Sequence, residues 1–352
     1  MTIPSRHHHF ALVDALKALA SQLIVWHHLA FYGPMSDVVH PYAPGLIDWF
    51  YDYARLGVQA FLVMGGFLAA RSLAPGMVPA VTELGAVIRL VWRRYLRLAP
   101  PYLVALALAI VSAAMARWLV DDPAIPLAPS LVQVGAHILL LQDLVKVEAL
   151  SAGVWYVAID LQLYALLALM LWLVRPLAAR HAVAVPWLTF LLCAGLVLAS
   201  LFWFNRNPAL DGWAPYFFGA FGLGVLAQWI SGRPGRGGWG LLLAVVVLVA
   251  LLVEWRSRIL VAGLTAVLLA WGTGHRPPGW LRSRLVGFLG RISYSLFLAH
   301  YPVCLAVGAL VHYYWPGDLA ANSIGMVVAW GLSLAAGSVL YRSVEMRALR
   351  AA

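Results

Sequence analysis

Charge is scarce in this chain. Only 11% of its 352 residues are Asp, Glu, Lys or Arg, against about 25% in soluble domains. Acid is scarcer still, with 14 Asp and Glu in all, and lysine is confined to Lys17 and Lys146. No charged or linker-like block is long enough to fold as a soluble domain, so residues 1–352 read as a single membrane domain. The two cysteines, Cys193 and Cys304, sit in different apolar segments, which suggests neither a disulfide framework nor a metal site. No internal repeat at a fixed period is visible. The first apolar segment is too long, and its centre too polar, for a cleaved signal peptide.

What the chain has in quantity is apolar sequence: 63% of residues, with a mean hydropathy of +0.85. Apolar segments near 15–33, 55–73, 96–118, 154–174, 182–204, 213–231, 238–254, 259–274, 285–311 and 323–341 predict ten transmembrane helices. About 20 residues rising ~1.5 Å each cross the hydrocarbon core. The fold class is therefore all-α, a polytopic membrane bundle.

A weaker apolar segment lies near 130–145. If it does not cross, 18 of the 24 basic residues fall on one side, and the other side holds Arg55, Arg117, Lys146, Arg206, Arg256 and Arg258. If it does cross, every later loop changes sides and the bias vanishes. The positive-inside rule therefore predicts cytoplasmic N- and C-termini and a non-spanning or re-entrant segment near 130–145. The formal net charge of +10 belongs to this bias in short loops, not to nucleic-acid binding. His7, His8 and His9 read as an exposed tail rather than a metal site, and aromatics at loop edges such as Trp49, Tyr51 and Tyr53 read as interfacial belts.

The first span, Asp14 to Tyr32, breaks the apolar pattern. Lys17 and His28 are eleven residues apart, which at ~100° per residue returns to nearly the same helix face, ~16 Å along the axis. Ser21, Asp14 and Tyr32 lie near that face, and His27 points away and reads as a packing residue. Ionisable groups inside a span face a bundle interior or an aqueous path. With the expected orientation, His28, Asp160 and His300 stand at similar depth in the outer half, with Gln162 beside Asp160. Arg93, Arg94 and Arg97 cluster at the opposite surface, with Arg89 before them and Lys17 at the same level.

An imidazole with a carboxylate at matching depth suits general-base activation of a hydroxyl, with Asp160 in the orienting role. The arginine cluster suits a phosphate-bearing ligand, and acyl-coenzyme A has that charge at one end and a reactive thioester at the other. Gly65–Gly66 reads as close helix packing.

These residues resemble the acyltransferase-3 family of integral-membrane acyltransferases, which includes O-antigen and exopolysaccharide O-acetyltransferases. The likeness is carried by Lys17-x10-His28, GVQAFLVMGGFL at 57–68, RRYLRLAPPY at 93–102, WYVAIDLQLY at 155–164, RISYSLFLAHYPV at 291–303 and LYRSVEMR at 340–347. The resemblance implies ten spans, a cytoplasmic acyl-CoA donor, a first-span histidine needed for transfer and an acceptor near the outer face. Two departures stand out: Asp160 where Glu is common, and Gly65-Gly66-Phe67 where Ser-Gly-Phe is common.

The expected function is transfer of an acyl group, acetyl first, from acyl-CoA to a hydroxyl of a glycan or glycolipid. His28 is the base or a transient acyl carrier, and Lys17, Arg93, Arg94 and Arg97 hold the donor's phosphates. Ser21, Tyr32, Gln162, Tyr294 and His300 line the channel. No cofactor is bound permanently and no metal is expected. The partners are acyl-CoA, the acceptor and the lipid bilayer, with the oligomeric state left open. The setting is the cell membrane, the inner one in a Gram-negative bacterium. The rival readings are a proton-coupled secondary transporter or lipid flippase, and a structural membrane subunit.

Overall fold

A computed structural model describes residues 11–177, 184–231, 233, 235–272 and 278–351. Arg6, His7, His8, His9, Arg180 and Arg276, and the two extreme termini, lie outside the described residues. Among the described residues every regular element is helical and no strand occurs. The helices are α1 (Ala11–Phe31), α2 (Met35–Val39), α3 (Pro44–Asp52), α4 (Gly57–Leu73), α5 (Leu84–Leu119), α6 (Leu131–Ile138) and α7 (Val154–Leu177). They continue with α8 (Val185–Phe202), α9 (Ala214–Ser231), α10 (Arg236–Val253), α11 (Ser257–Gly272), α12 (Arg284–Tyr314), α13 (Leu319–Leu340) and α14 (Met346–Ala351).

Each of the ten apolar segments coincides with one long helix. Seven helical stretches among the described residues are long and apolar enough to cross a membrane, those containing α4, α5, α7, α8, α10, α12 and α13. The chain is thus a multi-pass membrane protein. Of the other three, α1 carries the polar stripe, and α11 has only 16 residues, ~24 Å of helix. Ten crossings and cytoplasmic termini therefore belong to the proposed topology. In the weaker segment, α6 has eight residues, ~12 Å, which is too short to cross. Its start is a capping box: the Ser130 hydroxyl accepts from the Gln133 amide, and the Gln133 side chain accepts from the Ser130 amide.

The chain forms two compact units. The first comprises residues 1–17, 58–94 and 159–290, the second 18–57, 95–158 and 291–352. The boundaries fall inside α1, α5, α7 and α12, which run from one unit into the other.

In the first unit α9 is the centre. It is apolar all round, and nearly every residue from Tyr216 to Ile230 is buried, as such a helix requires. Helices α8, α11 and α10 pack on it. Water does not drive these contacts in lipid, so close approach through small residues must. A Cβ on Gly224 would overlap the Val63 carbonyl, and one on Gly66 would overlap the Phe221 carbonyl, so α4 and α9 touch backbone to backbone. Gly66 thus serves the close packing read from the sequence. By contrast α10 leaves Leu241, Leu242, Val245, Leu248, Val249, Leu252 and Val253 exposed, an apolar surface suited to lipid.

In the second unit Val25, Leu29, Met35, Ile47, Leu296, Cys304, Met326 and Ala329 form a common core drawn from α1, α2, α3, α12 and α13. Trp26 stacks on Phe50 at 5.3 Å and on Trp330 at 6.1 Å. The Trp330 indole N–H donates to Gln22 Oε1 at 2.8 Å, fastening α13 to α1. A Cβ on Gly337 would lie 2.8 Å from Leu296 Cα, so α13 also lies directly on α12. These contacts fix the register of α1 against α12, which sets which side chain meets His28.

Candidate active site

The second unit holds His28. Its Nδ1 stands 2.5 Å from Nε2 of His300, a residue 272 positions later in the chain. His300 is fully buried, and its Nδ1 lies 3.2 Å from the Leu296 carbonyl one turn back on α12. The two imidazole planes are within 5° of parallel, with centroids 4.8 Å apart. No described residue hydrogen-bonds the other nitrogen of His28, Nε2. Tyr32 packs on the His28 ring at 5.4 Å and on Tyr301 at 5.1 Å. Behind His300 stand Phe297 and then Tyr156. Gly153 leaves room for Phe297, because a Cβ there would come within 2.9 Å of the ring.

His27 turns away from this pair, as its position on the helix wheel requires. Its Nδ1 donates to the Phe50 carbonyl at 3.2 Å, and its ring packs beside Phe31. Ser21 is buried, and its hydroxyl donates to the Ala18 carbonyl of its own helix at 2.9 Å. Tyr294 donates from its hydroxyl to the Leu98 carbonyl at 3.0 Å. That joint lies beside Pro100 and Pro101, which interrupt the backbone bonding of α5. Arg97, the residue just before Leu98, is exposed.

The first unit holds the carboxylate. Asp160, 5% exposed, receives Arg94 as a fork: Nε to Oδ2 at 3.1 Å, and Nη2 to Oδ1 at 2.9 Å and to Oδ2 at 2.7 Å. The guanidinium also lies 5.1 Å from the centroid of the Tyr164 ring, a cation–π contact. A bidentate pair of this kind is the strong form of the interaction. A Cβ on Gly65 would stand 3.5 Å from Asp160 Oδ1, so the two departures from the family pattern are spatial neighbours. Arg93 is exposed, and Lys17 is half-buried on α1. Gln162 bridges the turn before α9, donating to the Gly212 carbonyl at 3.3 Å and accepting from the Ala214 amide at 3.1 Å.

The structure thus joins His28 to His300 and Arg94 to Asp160, while Ser21, Tyr294 and Gln162 spend polar groups on backbone partners. Reasoning from sequence missed Glu345. It is buried in a π-helical turn at Tyr341–Glu345 and accepts from the Ser295 hydroxyl at 2.6 Å. The cue was a lone acid closing an apolar helix inside LYRSVEMR, and π-turns cluster at functional sites.

In comparisons with known proteins, no curated protein and no solved structure gives a significant match. A family model described as an acyltransferase domain, acyltransferase-3, matches residues 10–342. That range takes in both units, with the histidine pair and the arginine–carboxylate pair inside it. The chain belongs to the acyltransferase-3 family, whose activity is acyl transfer.

Proposed function

We propose that the protein transfers an acyl group, acetyl in the simplest case, from cytoplasmic acyl-CoA to a hydroxyl of a glycan or glycolipid at the outer face of the cell membrane. The observation that carries this reading is His28. It is an imidazole ~16 Å along α1 from Lys17, with Nδ1 engaged and Nε2 clear of described partners. Such a ring can take a proton from an alcohol at neutral pH.

In the proposed step the acceptor oxygen attacks the thioester carbonyl while His28 Nε2 removes its proton. The C–O bond forms, the C–S bond breaks, and the thiolate leaves with the proton that His28 carried. Lys17, Arg93, Arg94 and Arg97 meet the donor's phosphates. Asp160 is the counter-ion that aims Arg94, which keeps its guanidinium fork ordered. Tyr32 stands against the reacting ring. The topology proposed with this function has ten crossings, both termini cytoplasmic and residues 119–153 outside.

The test follows free-thiol release from acetyl-CoA by the purified protein with candidate glycans. The parent should release thiol only with an acceptor present, and His28→Ala should lose at least 10²-fold in kcat, the usual span of general-base effects. Parental activity in His28→Ala would remove His28 from the mechanism.

A further inference from the structure

Resting on that reading of His28, we propose that His300 is its positioning residue. It holds the His28 proton on Nδ1 and so keeps the lone pair on Nε2, where the acceptor hydroxyl must deliver its proton.

Three groups in a row fix where the protons sit. The Leu296 carbonyl can only accept, so the His300 nitrogen 3.2 Å from it, Nδ1, carries a hydrogen. His300 is fully buried, and no carboxylate pairs with its ring among the described residues. A second proton would make a cation there without a counter-charge, which is costly. The ring is therefore neutral and its Nε2 is bare. That bare nitrogen is 2.5 Å from His28 Nδ1, which must then be the donor. A neutral imidazole has one N–H, so the lone pair of His28 is on Nε2.

Ring geometry supports the same assignment. The parallel planes and the 4.8 Å centroid distance do not describe two rings lying face to face. A 2.5 Å N–N contact with about one ring radius of ~1.1 Å at each end fills that distance, so the rings lie edge to edge in nearly one plane. The nitrogen lone pair lies in the ring plane, and this arrangement aims the His300 lone pair straight at the His28 N–H. Phe297 packs behind His300, and Gly153 makes room for Phe297, which fixes the acceptor in place. Second-sphere partners of this kind set the tautomer of a functional histidine.

The experiment uses the full-length protein with ¹⁵N-labelled histidine. Nitrogen chemical shifts should report His28 protonated at Nδ1 and bare at Nε2 at neutral pH, and this state should become mixed in His300→Phe. In the thiol-release assay, His300→Phe should lower kcat by about 10–100-fold and leave the KM for acetyl-CoA within twofold. His300→Gln, whose amide oxygen can accept from Nδ1–H, should recover most of that loss. The proposal is overturned if the parent carries the His28 proton on Nε2. It is also overturned if folded His300→Phe keeps the parental kcat, or if folded His300→Gln is as impaired as the phenylalanine variant. Should the parent release no thiol with any acceptor, the acyl-transfer reading fails, while the nitrogen shifts still decide the tautomer. Should His300→Phe not fold, the parent's shifts and His300→Gln decide it.

Discussion

Asp160 and Arg94 show how a single residue's role depends on what meets it. A carboxylate only 5% exposed needs a partner, and here the partner is a fork of three hydrogen bonds from one guanidinium. Removing one member of such a pair strands the other and costs about 3–5 kcal/mol, while replacing both with apolar groups costs far less. Asp160→Ala should therefore lower stability by about 3 kcal/mol, the lower end because the Arg94 side chain keeps 21% of its exposure. The double variant Arg94→Met with Asp160→Leu should recover most of it. Thermal unfolding in detergent measures both, and equal losses in the single and double variants would show that the pair is not what holds this part of the unit.

Helix crossings set the next level. The contact between α4 and α9 depends on glycines whose absent Cβ lets two backbones touch, so Gly66→Ala should cost about 1–3 kcal/mol or more by overpacking. Gly65→Ala is the control. Its new Cβ would meet Asp160 at 3.5 Å, an ordinary contact, so it should be neutral or slightly stabilising, since alanine suits a helix better than glycine. The excursion between α5 and α7 carries a titratable brace. His137 is buried, its Nδ1–H donates to the Gln133 carbonyl at 2.7 Å, and its Nε2 accepts from the Leu150 amide at 3.2 Å. Burial holds its pKa below the ordinary 6.5, so the folded state prefers the neutral ring. The stabilisation is complete above about 6.5 and fades as pH falls below that value, because a protonated Nε2 cannot accept. Hydrogen-exchange protection at the Leu150 amide, corrected for intrinsic rate, should drop between pH 7 and 5. His137→Gln, which does not titrate, should show no such drop.

For the whole molecule, family membership and the multi-pass helical architecture make acyl transfer in a membrane the frame, and donor recognition is the part most open to direct measurement. A ligand that binds only the folded protein stabilises it by about 2.7 kcal/mol at 100-fold over its Kd. Coenzyme A should therefore raise the melting temperature of the purified protein. Arg93→Ala combined with Arg97→Ala should remove that rise, and the melting temperature without coenzyme A reports separately what the two substitutions cost the fold. A parent protein that gains nothing from coenzyme A would contradict the donor assigned to it.

What the amino-acid order determined by itself was periodicity and place along each helix. Ten apolar segments became ten helices, and Lys17, Ser21 and His28 share a face because an α-helix repeats every 3.6 residues. His27 was legible as a packing residue for the same reason. The distribution of arginines also led to the expectation that the segment near 130–145 does not cross, and its helix at 131–138 has only eight residues. Tertiary structure alone decided who meets whom. Hydrogen bonding depends on ångström-scale register between helices far apart in sequence, and glycine contacts and tryptophan stacking set that register. Packing put His300 at 2.5 Å from His28 and gave the carboxylate to Arg94. It also buried Glu345 against Ser295, a contact that no spacing along the chain could announce.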